Sequence, residues 1–275
     1  MSTKLSCEPT LSPLGLGCSR IGSFNNPQPL AESRALVSAA IDLGVTTIDT
    51  SNIYGQGDSE QQIGRALQGR RDQAFIVTKA GRGFSAKMRL LRPLKPILRP
   101  LLTRRDSSRT AVTAQRDDEM RVDWRPAHFA PSLEQSLRRL CTDRVDGFLL
   151  HSPPAAVAGD PAIGSALAAL KAAGKVRHFG VSCDDRACLD QALTMPGLSL
   201  LQLPYNLIEE VETDGLAERI RERGILVLAR EVIRLQPLLD PASAVRRAST
   251  QPIVSCTLVG TSSRKHLAAL AATFA

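Results

Sequence analysis

The apolar positions of this chain change period repeatedly along its length. Residues 31–44, AESRALVSAAIDLG, place Leu36, Ala39, Ala40 and Leu43 at i, i+3, i+4 and i+7, the spacing of an amphipathic helix ending on Gly44. The run from Val45 to Ile48 is short and apolar, stops on Asp49, and reads as a buried strand. Helical spacing returns over residues 59–70, with Ile63 and Leu67 on one face and Ser59 as the expected cap. Residues 74–81, AFIVTKAG, form a strand. After a long stretch without a period, residues 132–141 set Leu133, Leu137 and Leu140 on one helical stripe. Residues 145–154, VDGFLLHSPP, make a strand that its prolines bring to an end. The alternation continues to VSCTLVGT, residues 254–261, and to a last helix in which Leu267, Leu270 and Phe274 share a face. Its weakest unit lies between Glu231 and Val254.

With a first strand at Leu14–Gly17, about eight strands are each followed by a helix or a helix-sized segment, which implies a parallel sheet. Eight such units imply closure into an α/β fold of the (β/α)8 TIM-barrel kind, typically of ~250 residues. The 275 residues are therefore read as a single barrel domain over 1–275, with 82–131 as a long basic insert after the third strand. An open doubly wound sheet is the rival. Its dinucleotide fingerprint fails in GLGCSRIG, residues 15–22, where Arg20 replaces the third glycine and no clear helix follows.

Composition narrows the class. Apolar residues make up 43% and charged residues 23%, the balance of a soluble globular protein. The opening residues lack the basic end, apolar stretch and small-residue site of a secretory leader, and no apolar run is long enough for stable membrane insertion. Six scattered cysteines, with no CxxC pair and no metal-ligand spacing, fit a reducing cytoplasm. The net charge of +8 is local: residues 82–109 hold nine Lys and Arg against one Asp. Nucleic-acid binding is disfavoured because Phe84 is the segment's one stacking aromatic. Pro93, Pro96 and Pro100 bar a continuous helix there.

In such a barrel the C-terminal ends of the strands form the active face. Asp49, Tyr54, Lys79 and His151 all fall there. A helix cap, a loop hydroxyl, a solvated amine and a core imidazole would account for them singly. Together they suit proton transfer to a carbonyl oxygen. A phenol has an ordinary pKa of ~10 and needs help to act as an acid or base. A nearby ammonium lowers that pKa, and a carboxylate paired with the ammonium keeps it charged. A histidine can donate to the substrate oxygen. None of the four delivers a hydride, which points to a nicotinamide cofactor.

These residues sit in motifs that resemble the aldo-keto reductase family over almost the whole chain. IDTSNIYGQGDSEQQIGRAL is similar to the family's Asp–Thr–x3–Tyr–Gly stretch, IVTKAG to its lysine strand, and SLEQSLRRLCTDRVDGFLLHSPP to its Thr-Asp-x-x-Asp-x4-His stretch. The resemblance implies Tyr54 as general acid, Lys79 and Asp49 as its tuners, and His151 as the group that orients the carbonyl. It further implies that Ser182, in FGVSC, and Gln202, in LQLPYN, hold the nicotinamide carboxamide, with Cys183 and Tyr205 beside them. Cys183 stands where asparagine is usual, and Arg230 where many relatives stack an aromatic ring. The segment VGTSSRKHL brings Gly260, Thr261, Ser262, Arg264, Lys265 and His266 into the expected cofactor set. Ser262 or Ser263 would cap the last helix, so that Arg264 and Lys265 oppose its dipole unless an anion sits there. The adenosine 2′-phosphate is that anion by resemblance, hence NADP(H) rather than NAD(H).

The resemblance, which puts a substrate-covering loop after the lysine strand, makes the insert a partly ordered lid, ahead of a surface for an acidic partner or a membrane and of a simply disordered segment. The expected protein is a monomeric NADPH-dependent reductase of small carbonyl compounds, reversible as an alcohol or sugar dehydrogenase. An NADP(H)-binding regulatory protein with little catalysis is the alternative, and Schiff-base chemistry at Lys79 a third.

Overall fold

Short apolar runs between turn residues become strands because helices cover one face of each and packed side chains fill the other. The structure is a computed structural model describing residues 10–23, 29–84 and 120–274. Its strands are β1 (Leu14–Gly17), β2 (Thr47–Asp49), β3 (Phe75–Ala80), β4 (Arg82–Phe84), β5 (Met120–Val122), β6 (Val145–His151), β7 (Val176–Ser182), β8 (Leu200–Pro204), β9 (Leu226–Arg230) and β10 (Cys256–Val259). The helices are α1 (Leu30–Asp42), α2 (Asp58–Ala66), α3 (Pro126–Leu140), α4 (Ala155–Ala158), α5 (Pro161–Ala172), α6 (Arg186–Ala192), α7 (Tyr205–Thr213), α8 (Leu216–Glu222), α9 (Pro241–Ser249) and α10 (Arg264–Ala271). Eight strands close into a parallel barrel in the order β1-β10-β9-β8-β7-β6-β3-β2, while β4 and β5 pair antiparallel as a separate ribbon. The expected (β/α)8 TIM barrel is the fold.

Strand side chains alternate in and out with a period of two. Inward ones from neighbouring strands, including Phe75, Val77, Leu149, Leu200, Leu228, Cys256 and Leu258, form a small apolar core inside the barrel. Space for them comes from small partners: a Cβ on Gly147 would lie 2.6 Å from Leu200 Cδ2, and one on Gly15 would lie 2.7 Å from Leu258 Cδ2. A larger cluster lies between the sheet and the helices, with Phe129, Leu133 and Leu137 from α3 and Leu267 and Leu270 from α10. Asp146 is a buried hub, taking Arg71 at 2.8 Å, Arg177 at 3.2 Å and the Ile76 backbone N–H at 2.8 Å.

Several local expectations shift. The buried face of α1 is Ser33, Leu36, Val37, Ala40 and Ile41; the helix stops at Asp42, and Leu43, just beyond it, is 42% exposed. Ser59 lies inside α2, which is preceded by left-handed Gly57; its hydroxyl bonds Thr50 Oγ1 at 2.8 Å and Cys18 O at 3.1 Å instead of capping. Helix α3 starts at Pro126 rather than Ser132, using a proline where the first helical turn needs no N–H. Both ends of the basic segment thus carry regular structure. The β4–β5 ribbon pairs Arg82 with Val122, and Trp124 packs over Gly81, whose φ is +98° and whose added Cβ would fall 1.8 Å from the indole. The lid expectation covers 82–131, of which residues 85–119 lie outside the described residues.

Candidate active site

The same period of two builds the site. Gly17, Asp49, Lys79, His151, Ser182, Gln202 and Arg230 share the inward parity of the barrel core and lie one step closer to the C-terminal ends of their strands than its residues. Tyr54 joins them from the 3-10 turn Tyr54–Gly57 after β2, where Gly55 and Gln56 both take positive φ. The crevice above the barrel has a volume of about 400 Å³, and Asp49, Tyr54, His151, Ser182, Gln202 and Arg230 contribute to its walls.

Lys79 is fully buried. Its Nζ donates to Asp49 Oδ1 at 2.5 Å and to Thr50 O at 2.9 Å, and stands 5.1 Å from the centre of the Tyr54 ring. The Tyr54 ring meets His151 edge-on, with centroids 5.8 Å apart. All four expected polar side chains are brought together. Burial is the largest influence on the Tyr54 phenol and pushes its pKa up; Lys79 pulls it down only in part. The net rise is opposite to the lowering expected from lysine alone, and it keeps the phenol protonated. Burial works to lower the Lys79 pKa, but Asp49 and Tyr54 outweigh it and leave the ammonium above its ordinary range.

Asp49 Oδ1 also accepts from Gln202 Nε2 at 2.9 Å, and Gln202 Oε1 accepts from Ser182 Oγ at 2.9 Å. This orders the Gln202 amide: its NH2 faces the carboxylate and its carbonyl faces the serine. Ser182 and Gln202 are thereby tied to the Asp49–Lys79 pair as well as lining the crevice.

Two expected cofactor residues point elsewhere. Cys183 follows Ser182 and has the opposite parity; it is buried in the outer core beside Cys188, and contact with that thiol, followed by burial, pushes its pKa well up. Tyr205, the first residue of α7, is fully buried in the same cluster, and its hydroxyl accepts from Gln251 Nε2 at 3.4 Å. Arg230 does line the crevice, but it is committed: it donates to Cys183 O at 3.0 Å and pairs with Asp184 and Glu231. Gly260 forms part of the wall, with Thr261, Ser262, Arg264, Lys265 and His266 following it in the chain. Thr261 Oγ1 accepts from Ser263 N at 3.1 Å, and Ser263 caps α10 by accepting from His266 N at 3.3 Å. Arg264 faces Glu32 at 3.9 Å.

Other residues at the site carried no periodic signal because they sit on loops or, for Arg82, at the start of a strand of three residues. Arg82 donates to the carbonyls of His151 at 2.9 Å and Ser152 at 3.1 Å. Ser51 Oγ lies 3.1 Å from His151 Nδ1, and Asn52 Nδ2 donates to Arg82 O at 2.8 Å. Glu231 and Arg234 line the crevice and pair with each other. The position of Arg82 and Glu231 one or two residues beyond an inward strand end was the available clue.

The aldo/keto reductase family model matches residues 13–243. A D-threo-aldose 1-dehydrogenase of a Pseudomonas species is 30% identical over 227 residues, which are 80% of this chain and 65% of that protein. The aldo-keto reductase yakc of Schizosaccharomyces pombe, whose name specifies NADP(+), is 26% identical over 227 residues, 80% of this chain and 57% of that protein. The chain thus spans less than two thirds of the length of these relatives. A solved aldo-keto reductase of Bacillus halodurans shares the fold with a TM-score of 0.74 and 21% identity, over 96% of this chain and 87% of that one. A match that begins just before β1 and runs into α9 places the chain in the aldo/keto reductase family.

Proposed function

We propose that this protein is an NADP(H)-dependent oxidoreductase that interconverts small carbonyl compounds and alcohols, acting as a monomer in the cytoplasm. The observation that carries the reading is the buried Lys79–Asp49 pair, 2.5 Å apart, set against the Tyr54 ring beside His151. Lys79 stays charged next to Asp49 and does not serve as a nucleophile, which sets Schiff-base chemistry aside. Tyr54, held protonated, gives its proton to the carbonyl oxygen during reduction, and the ammonium beside it stabilises the phenolate that remains. In oxidation the same proton returns.

The residues present suit the cofactor. Ser182 and Gln202 offer a nearly buried hydroxyl and amide to a ring carboxamide, and Gly17 and Gly260 line the wall without side chains to narrow it. Arg264 and Lys265 in the first turn of α10 oppose its dipole, and a 2′-phosphate bound there would relieve the conflict. The yakc relative's name favours NADP(H) in the same sense. The chemistry NADP(H) supplies when bound is hydride transfer.

The test is Tyr54→Phe. Turnover of a broad panel of aldehydes, ketones and sugars with NADPH or NADP(+) should fall by at least about a hundredfold, the lower range for a general acid, while NADPH binding followed by fluorescence stays intact. Undiminished rates would refute the assignment. The clamped Arg230 favours a second reading, a cofactor-binding regulator; tight NADPH binding with no activity on that panel in the unmodified protein would select it.

A further inference from the structure

Ser59 and Glu60, consecutive residues in the first turn of α2, are fully buried, and each reaches a threonine on the barrel. Ser59 Oγ donates to Cys18 O at 3.1 Å. A carbonyl only accepts, so the hydroxyl proton of Ser59 is committed there, and Thr50 Oγ1 is the donor in the 2.8 Å contact between the two hydroxyls. Cys18 gives its own N–H to Asp49 O at 2.8 Å. The ends of β1 and β2 are thereby closed into one ring with α2. Glu60 accepts from Thr78 Oγ1 at 2.6 Å on one oxygen and from Arg139 Nε at 2.6 Å on the other. Thr50 directly follows Asp49, and Thr78 directly precedes Lys79. One turn of helix therefore holds a residue beside each member of the ion pair.

The hold on Thr50 bears on the ammonium. Lys79 Nζ has three N–H donors; Asp49 Oδ1 takes one at 2.5 Å and Thr50 O a second at 2.9 Å. The third is left for the Tyr54 hydroxyl, which charge and a hydrogen bond link to the ammonium. The strand bond from Thr50 N to Val77 O fixes the peptide group before Thr50, but the carbonyl that meets Lys79 belongs to the peptide group after it. The side-chain bond to Ser59 anchors the residue between the two. We propose that Ser59 and Glu60 are positioning residues that, through Thr50 and Thr78, keep the Thr50 carbonyl on Lys79 Nζ and so aim the third N–H at Tyr54. Neither touches the reacting atoms; both act through Lys79. The part played in proton transfer rests on the proposed function, whereas the grip on the ammonium does not.

Proton–nitrogen NMR of the lysine ammonium groups in the 15N-labelled full chain tests it. Lys79 is fully buried, so its ammonium protons exchange slowly enough to be seen, and a Lys79→Met sample assigns the signal. Thr50→Val keeps the shape of the side chain and removes its donor, while Thr50→Ser keeps the hydroxyl. The expected result is a sharp signal in the parent protein and in Thr50→Ser, and a broadened or lost one in Thr50→Val and Ser59→Ala. Thr78→Val should act in the same sense through Glu60. In kinetics, Thr50→Val should lower kcat by roughly tenfold, the worth of one hydrogen bond to a charged group, with NADPH affinity unchanged, and Thr50→Ser should recover it. An unaltered ammonium signal in Thr50→Val, or equal losses in Thr50→Val and Thr50→Ser, overturns the proposal; an unaltered signal in Thr78→Val removes Glu60 from it. Because the spectra need no turnover, a signal lost in Thr50→Val and kept in Thr50→Ser, in a protein inert to every substrate, would refute the proposed function and leave the grip on the ammonium standing.

Discussion

Tyr54 and Lys79 are coupled through more than proximity, and pH reads the coupling. Both folded-state pKa values lie above the ordinary 10.0 of a phenol and 10.5 of an ammonium. A raised value means that the folded state binds the proton more tightly than the unfolded chain. The corresponding stability is complete below the ordinary values and is lost as pH climbs through the raised ones. Denaturant midpoints recorded up the alkaline range should therefore fall, and the fall should be shallower in Lys79→Met than in the parent protein. A parallel loss in both would remove the pair as its source. The four candidate catalytic side chains were legible because each stands at or just after the end of a strand. Cys183 and Tyr205 were misplaced for a related reason. A motif groups neighbours as if they faced one site, but the period of two sends the residue after Ser182 outward and hides Tyr205 under its own helix. Arg230 lines the crevice, but its partners had no sequence signal, since Asp184 and Glu231 reach it from loops.

The elements divide into those whose signal was local and those fixed by distant contacts. Strands β3 and β6 were readable from runs of apolar residues between breakers. The start of α3 was not, because residues 126–131 lack the leucine stripe and are held by Phe129 against the core. Asp146 illustrates a role that only packing reveals. It belongs to the Thr-Asp-x-x-Asp stretch on which the family resemblance was drawn, yet it sits at the N-terminal end of β6, away from the crevice, and joins β3 and β7 through Ile76, Arg71 and Arg177. Asp146→Ala would leave the Ile76 N–H without its acceptor and remove a carboxylate that the guanidinium groups of Arg71 and Arg177 share. The expected cost is about 3 kcal/mol, at the lower end for a broken buried pair because both arginines keep a path to solvent. Chemical denaturation measures it. NADPH affinity should hold in the fraction that folds, since the hub lies at the opposite end of the barrel from the crevice.

At the scale of the whole molecule, regular alternation of strand and helix was enough to give the number of units and hence closure. No pattern could announce the β4–β5 ribbon, because each of its strands has three residues and they meet across a long interval of sequence. Among the described residues no helix is long and apolar enough to cross a membrane. The ribbon has a practical meaning. Phe84 and Met120 are partners across it, so the polypeptide leaves the barrel and re-enters at adjacent points. Everything between them is, in engineering terms, a cassette with matched ends. Replacing residues 85–119 with an Asn-Gly type I′ turn, the connection such a hairpin prefers, should yield a shortened protein that melts cooperatively near the parent temperature. Failure to fold would show instead that the excised stretch is part of the chassis. If the splice is tolerated, the same two anchor points would accept foreign loops, each presented at the edge of the crevice by a scaffold that need not be redesigned.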